Sequence, residues 1–205
     1  MIVRAKSQST PMLLQLPQGL RLHVTPEQFA AIAAINRDLR LERTATGLLI
    51  VNPPTGSEAG HRNFSLIAQL AHWCDRHEAA GIAFDSSTGF TLPNGAIRSP
   101  DLSWVRRDRW EALTPAQRKG FAPLCPDFVV ELRSETDTLN DLQAKMQEYL
   151  ENGAQLGWLI DPKHQRVEIY RPNQTVEVLE HPSCLLGEDI LPEFMLTLKR
   201  IWASD

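Results

Sequence analysis

Cysteine is scarce in this chain: Cys74, Cys125 and Cys184 are the only three, and no two form a Cys-x-x-Cys pair. An odd, scattered set excludes a disulfide framework and a zinc ribbon, and reads as buried free thiols in a reducing compartment. Long apolar runs are lacking too. No stretch approaches the ~18 consecutive apolar residues of a membrane span. The first twenty positions carry polar residues and two prolines where a signal peptide needs an apolar core. A cytoplasmic protein is expected, with no membrane partner. Nor is there an excess of positive charge. With 21 Lys and Arg against 25 Asp and Glu the net charge is −4, so a nucleic-acid partner would need a local basic patch. The chain has no Walker phosphate loop, no GxGxxG, no HExxH and no nucleophile elbow. His61, His72 and His77 share one helical stretch, but no two are four apart, as a metal pair on a helix would be.

What is present is ordinary globular material: 42% hydrophobic and 22% charged residues over 205 positions, enough for one sizeable core. Residues 1–24 read as an irregular arm and 25–205 as a single domain. Thr25-Pro26-Glu27-Gln28 has the form of a capping box with proline at the first helical position, and Ala-rich residues 29–36 continue the helix. Leu39–Arg43 and Leu48–Val51 read as strands around Gly47, and residues 57–79 as a helix ending before Gly81. Short strands follow at 82–84, 90–92, 96–97 and 102–105, with Asn94-Gly95 as a hairpin turn. Residues 107–119 read as one charged helix. Phe128–Leu132 is a buried strand, Thr138–Glu151 an amphipathic helix closed by Asn152-Gly153, and Leu156–Ile160 a second buried strand. A hairpin over 167–179 and extended segments around 196–202 complete the chain. The pattern predicts an α/β fold: a mixed β-sheet flanked by helices. Trp104, Trp110, Trp158 and Trp202 call for cover, which a homodimer would supply.

Glu131 interrupts the apolar run Phe128–Leu132. An unpaired buried charge costs several kcal/mol, so such a group is neutralised, paired or bound to a metal. Asp101 follows Ser99-Pro100 and opens the strand 102–105. Alone it is ordinary turn chemistry. With Glu131 on a later strand it makes a pair of hard oxygen donors suited to Mg²⁺ or Mn²⁺. Arg133 is two residues beyond Glu131 and shares its face of the strand. Such a cation would steady negative charge on a phosphate while the acids hold a metal that activates water. Lys145 is the other cation; its spacing equally allows an i,i+4 surface pair with Asp141, worth ~0.3–0.5 kcal/mol. Arg106-Arg107-Asp108-Arg109 and Arg118-Lys119 form the one basic stretch near Asp101, and its interleaved acids favour a solvated helix face.

Taken in order, Ser99-Pro100-Asp101, Cys125-Pro126-Asp127 through Ser134, Asp141 to Tyr149 with Lys145, Gly153 and Gly157-Trp158-Leu159-Ile160-Asp161-Pro162 resemble the Uma-two family of restriction endonucleases. That family belongs to the PD-(D/E)XK nuclease superfamily. Pro54-Thr55-Gly56 and Arg62-Asn63 add to the resemblance, which spans residues 22–202. It implies a restriction-endonuclease-like fold with Asp101 and Glu131 as metal ligands. It points to Lys145 because the family's lysine has moved from strand to helix, while Arg133 holds the usual strand position. An arginine there can stabilise charge but cannot act as a base. An acid at the second helix corresponds to Glu58, reaching a metal through water; its plainer reading is a first-turn carboxylate favoured by the helix dipole. The function expected is divalent-metal-dependent cleavage of DNA, with Asp101, Glu131 and the Leu132 carbonyl holding Mg²⁺ and Lys145 with Arg133 stabilising the phosphate. The alternative is a nuclease-fold protein that binds DNA or protein without cleaving.

Overall fold

The capping box at Thr25 forms as expected. The Thr25 hydroxyl accepts from the Gln28 N–H, the Gln28 side chain accepts from the Thr25 N–H, and Pro26 opens α1 (Pro26–Ile35). The computed structural model describes residues 21–203, so residues 1–20 of the expected arm lie outside it. The arm's last residues are joined to the body: the Leu22 carbonyl accepts from Leu49 N–H at 2.7 Å and Val24 N–H donates to the Gly47 carbonyl at 2.8 Å.

After α1 come β1 (Arg40–Arg43) and β2 (Leu49–Asn52), joined through Gly47 at φ +93°, a conformation that favours glycine. Helix α2 (Ser57–Arg76) buries Leu66, Leu70 and Trp73. Strands β3 (Gly81–Asp85), β4 (Phe90–Thr91), β5 (Ile97–Arg98) and β6 (Leu102–Arg106) follow, and β4 and β5 pair around the predicted Asn94-Gly95 turn. The single helix expected over 107–119 is instead two, α3 (Arg107–Glu111) and α4 (Pro115–Lys119). Pro115 lacks an N–H and disfavours helical backbone at Thr114, so the first helix stops and Thr114 with Gln117 caps a second. Strand β7 (Phe128–Leu132), helix α5 (Leu139–Glu151) and strand β8 (Leu156–Asp161) form a parallel crossover. The chain continues through the hairpin β9 (Arg166–Tyr170) and β10 (Glu177–Glu180), then the pair β11 (Cys184–Leu186) and β12 (Met195–Thr197). It ends in a helical turn, α6 (Lys199–Trp202), where extended chain was expected.

The main sheet has six strands in the order β10-β9-β8-β7-β6-β3, all antiparallel except β7 with β8. Its even-numbered β7 residues, Phe128, Val130 and Leu132, pack with α2 and the C-terminal segment. Val129 packs on the opposite face with Leu142, Met146 and Tyr149 of α5. Alternation therefore sends Glu131 toward α5. A second sheet, β2-β1-β5-β4, carries a smaller core of Phe29, Leu41 and Ile97. Trp104 and Trp158 are covered by the chain's own core rather than by a partner. No helix among the described residues is long and apolar enough to cross a membrane.

Candidate functional site

The two predicted acids come together. Leu102 pairs with Val130, so Asp101, one residue before β6, falls opposite Glu131 in the continuing register and on the α5 face. Asp101 Oδ2 accepts the Leu132 N–H at 2.9 Å, which ties the acid to the end of β7. Its Oδ1 faces Arg40 Nη2 at 3.3 Å. Glu131 Oε1 accepts the Tyr149 hydroxyl at 2.9 Å and lies 2.8 Å from Lys145 Nζ. Both partners come from α5, where positions 145 and 149 are stacked one helical turn apart. The alternative surface pair between Asp141 and Lys145 does not form; Asp141 is held by the N-cap Thr138, whose hydroxyl accepts the Asp141 N–H and donates to its carboxylate.

A third acid, absent from the sequence prediction, completes the cluster. Glu42 on β1 is buried, and its Oε1 lies 2.8 Å from Lys145 Nζ. The same oxygen accepts the Ser99 N–H at 3.1 Å, and Oε2 receives Arg98 Nη1 at 3.2 Å. Both Glu42 oxygens are thus engaged by donors of the chain. Arg98 is itself anchored by Glu148 at 2.6 Å. The second sheet therefore brings β1 and β5 against α5, and Lys145 is clamped between a glutamate from each sheet.

The two glutamates sharing Lys145 respond in opposite directions. Burial pushes Glu131 up to about 7 against the pull of Lys145, and the charges of Asp101 and Glu42 add to the rise. Burial also opposes the charge on Glu42, but Lys145 and Arg98 outweigh it and hold the carboxyl below its ordinary value. The difference is one of neighbours: Glu42 has two cations and a backbone N–H, whereas Glu131 shares one lysine and faces two acids. Burial disfavours the Lys145 ammonium, yet Glu131 and Glu42 more than compensate and raise its pKa. Burial, then Glu131 and Glu42, lift Tyr149 well above a free phenol, so its hydroxyl keeps the proton it donates.

The other predicted residues are placed as follows. Arg133 shares the face of Glu131 but is drawn to Asp161 at 2.6 Å, not to the acid pair. Glu58 lies in the first turn of α2, exposed, 3.5 Å from Arg62. Leu132 offers its N–H to Asp101. The basic stretch is largely consumed locally: Arg106 pairs with Asp108 at 2.5 Å, Arg109 with Asp127 at 2.8 Å, and Arg118 lies over Trp110. The solvated-face reading of that segment holds.

The donor set is of the right kind for a small hard cation. Tyr149 and Lys145 both take Glu131 Oε1, which leaves Oε2 without either, and among the described residues Asp101 Oδ1 has only a long contact from Arg40. Among the described residues no three His, Cys, Asp or Glu side chains form a ready cage. Two carboxylates plus water and substrate oxygens is nevertheless a customary way of binding Mg²⁺. The chemistry available is thus a carboxylate pair beside an obligatory ammonium, all largely shielded from water.

The fold is similar to that of a crystal structure from Anabaena variabilis ATCC 29413 described as "a putative nuclease belonging to DUF820". The two agree with a TM-score of 0.66 and 22% identity, over 79% of this chain and 89% of the other. No curated protein matches the sequence. Residues 26–199 match the family Uma2, described as "Putative restriction endonuclease", and the chain belongs to that family.

Proposed function

We propose that the protein is a divalent-metal-dependent endonuclease that hydrolyses phosphodiester bonds in DNA. The observation that carries this reading is the ammonium of Lys145 2.8 Å from Glu131, on the face where Asp101 lies opposite. Asp101 and Glu131 would hold Mg²⁺ or Mn²⁺, with the Leu132 carbonyl as a further oxygen and Glu58 reaching it only through water. Such a cation, when bound, lowers the pKa of water and draws phosphate oxygens. Lys145 keeps its proton, so its part is to stabilise the negative charge gathering on the phosphate. Glu42 holds Lys145 in place, and Tyr149 fixes the rotamer of Glu131 so that Oε1 turns inward. Arg133, tied to Asp161, supports the end of β7 rather than the reacting phosphate.

The test is cleavage of supercoiled plasmid in Mg²⁺ or Mn²⁺. Asp101→Ala and Glu131→Ala should each reduce it by at least about a hundredfold, since even an outer partner of a metal can be worth that much. Undiminished cleavage in both variants refutes the assignment. One observation favours a second reading, a nuclease-fold protein that binds without cleaving. Both acids are already matched by cations of the chain, Asp101 by Arg40 and Glu131 by Lys145. Calorimetry separates the readings: no divalent-metal uptake, with DNA or protein binding retained, selects the second.

A further inference from the structure

Arg40 and Glu42 are two apart on β1 and point the same way, yet the structure treats them differently. Glu42 is buried and fully engaged. Arg40 keeps 28% of its side chain exposed and holds its neighbours loosely: Nη2 to Asp101 Oδ1 at 3.3 Å and Nη1 to Thr55 Oγ1 at 3.5 Å. Its Nε is buried with no partner among the described residues. A guanidinium has five donors, and one left with an orphaned buried N–H is not a finished structural contact. Arg43, on the same strand, shows what a finished one looks like. It gives Nε to the Val24 carbonyl at 2.8 Å and Nη1 to the Gly95 carbonyl at 2.8 Å.

The acid that Arg40 rests on is the one whose Oδ1 the nuclease reading assigns to a cation. Arginine and cation therefore compete for one oxygen. When Asp101 turns to a cation, the guanidinium is set free beside it with its planar fork intact. A phosphate oxygen drawn to the same place is the complementary anion for that fork. We infer that Arg40 is a phosphate clamp for the DNA backbone, parked on Asp101 until a divalent cation displaces it; this rests on the nuclease reading above.

The experiment uses the full chain as wild type, Arg40→Gln, Arg40→Lys and Glu131→Gln. Mn²⁺ uptake is titrated by calorimetry, and affinity for a short DNA duplex is measured in CaCl₂ across a salt series. Arg40→Gln should bind Mn²⁺ more tightly, by about threefold or more as a competing charge is removed, and bind DNA about tenfold more weakly. The slope of log affinity against log salt should fall by about one phosphate contact. Arg40→Lys keeps the charge without the fork and should fall between. Opposite signs in one variant are the signature of a parked clamp. Weaker binding of both ligands would show that Arg40 only holds Asp101 in place, and no change in DNA binding would show a surface ion pair; either overturns the inference. If the wild type takes up no Mn²⁺ that Glu131→Gln abolishes, it is the nuclease reading that fails.

Discussion

Glu131→Gln tests the site without any assumption about substrate. The glutamate sits in one of the sheet's two central strands, and burial together with two neighbouring acids lifts its carboxyl to about 7 from the ordinary 4.5. A raised acid means that the folded protein holds a proton the unfolded chain has released. Between those two values stability falls as pH rises; below 4.5 both states are protonated and nothing is lost. At ~1.4 kcal/mol for each tenfold change in proton affinity, the ionised side chain costs ~3 kcal/mol above neutrality. Glutamine has nearly the same shape and cannot ionise. Its stability relative to wild type should therefore climb by ~3 kcal/mol from about pH 4 to about pH 8. Urea titrations at each pH give the difference directly, and taking the difference removes the titrating groups that do not interact with Glu131. Lys145 stays charged across that window, because Glu131 and Glu42 outweigh the effect of burial, so losing one of its partners adds only a constant offset. A cation bound to the acids should reverse the loss. At one hundred times its Kd, Mg²⁺ would return about 2.7 kcal/mol to the wild type at high pH and little to the variant. A difference curve that is flat or slopes the other way refutes the claim that Glu131 is a charge forced into the interior.

Two further outcomes separate the cations and test the packing. Lys145→Met should remove most plasmid cleavage while Arg133→Gln leaves it within a few-fold, about 10²-fold being the usual loss for one charge-stabilising donor; equal losses would show that Arg133 also reaches the phosphate. Gly81→Ala should cost about 3 kcal/mol in thermal or urea unfolding, because its Cβ would collide with the Val105 carbonyl and the Trp104 indole, and a neutral result would mean that β3 can move away from β6.

The acid pair could be read from the sequence because both signals are local. A carboxylate inside Phe-Val-Val-Glu-Leu is anomalous by itself, and Pro-Asp before an apolar strand places its partner. The helix at Thr138 was equally legible, but its spacing gives a face and not a partner. That is why Lys145 suited Asp141 as well as Glu131 until α5 was set against β7. The break at Thr114 was within reach of the same rule that found α1. Thr114-Pro115-Ala116-Gln117 repeats the form of Thr25-Pro26-Glu27-Gln28, and both produce a capping box. Continuous charge across 107–119 masked it.

Glu42 was hidden for a deeper reason. In Arg40-Leu41-Glu42-Arg43 every residue but Leu41 is charged, which by itself describes a strand facing water. What reverses that reading is the second sheet, whose β1 and β5 edges turn toward α5, and no local rule specifies that contact. The cue available in the sequence is indirect: one apolar residue cannot bury such a strand, so its charges must find partners elsewhere. Arg43 finds backbone carbonyls, while Arg40 and Glu42 join one buried cluster in which Lys145, Arg40 and Arg98 face Glu42, Asp101, Glu131 and Glu148. This local pairing bears on the objection raised by a net charge of −4. An acidic chain can admit a polyanion if the acids at the point of entry are matched locally. The arginines around the start of α3 are already engaged, Arg106 by Asp108, Arg107 by Glu111 and Arg109 by buried Asp127. On the nuclease reading, the cations nearest the reacting phosphate are Arg40 and Lys145, which β1 and α5 hold beside the acids.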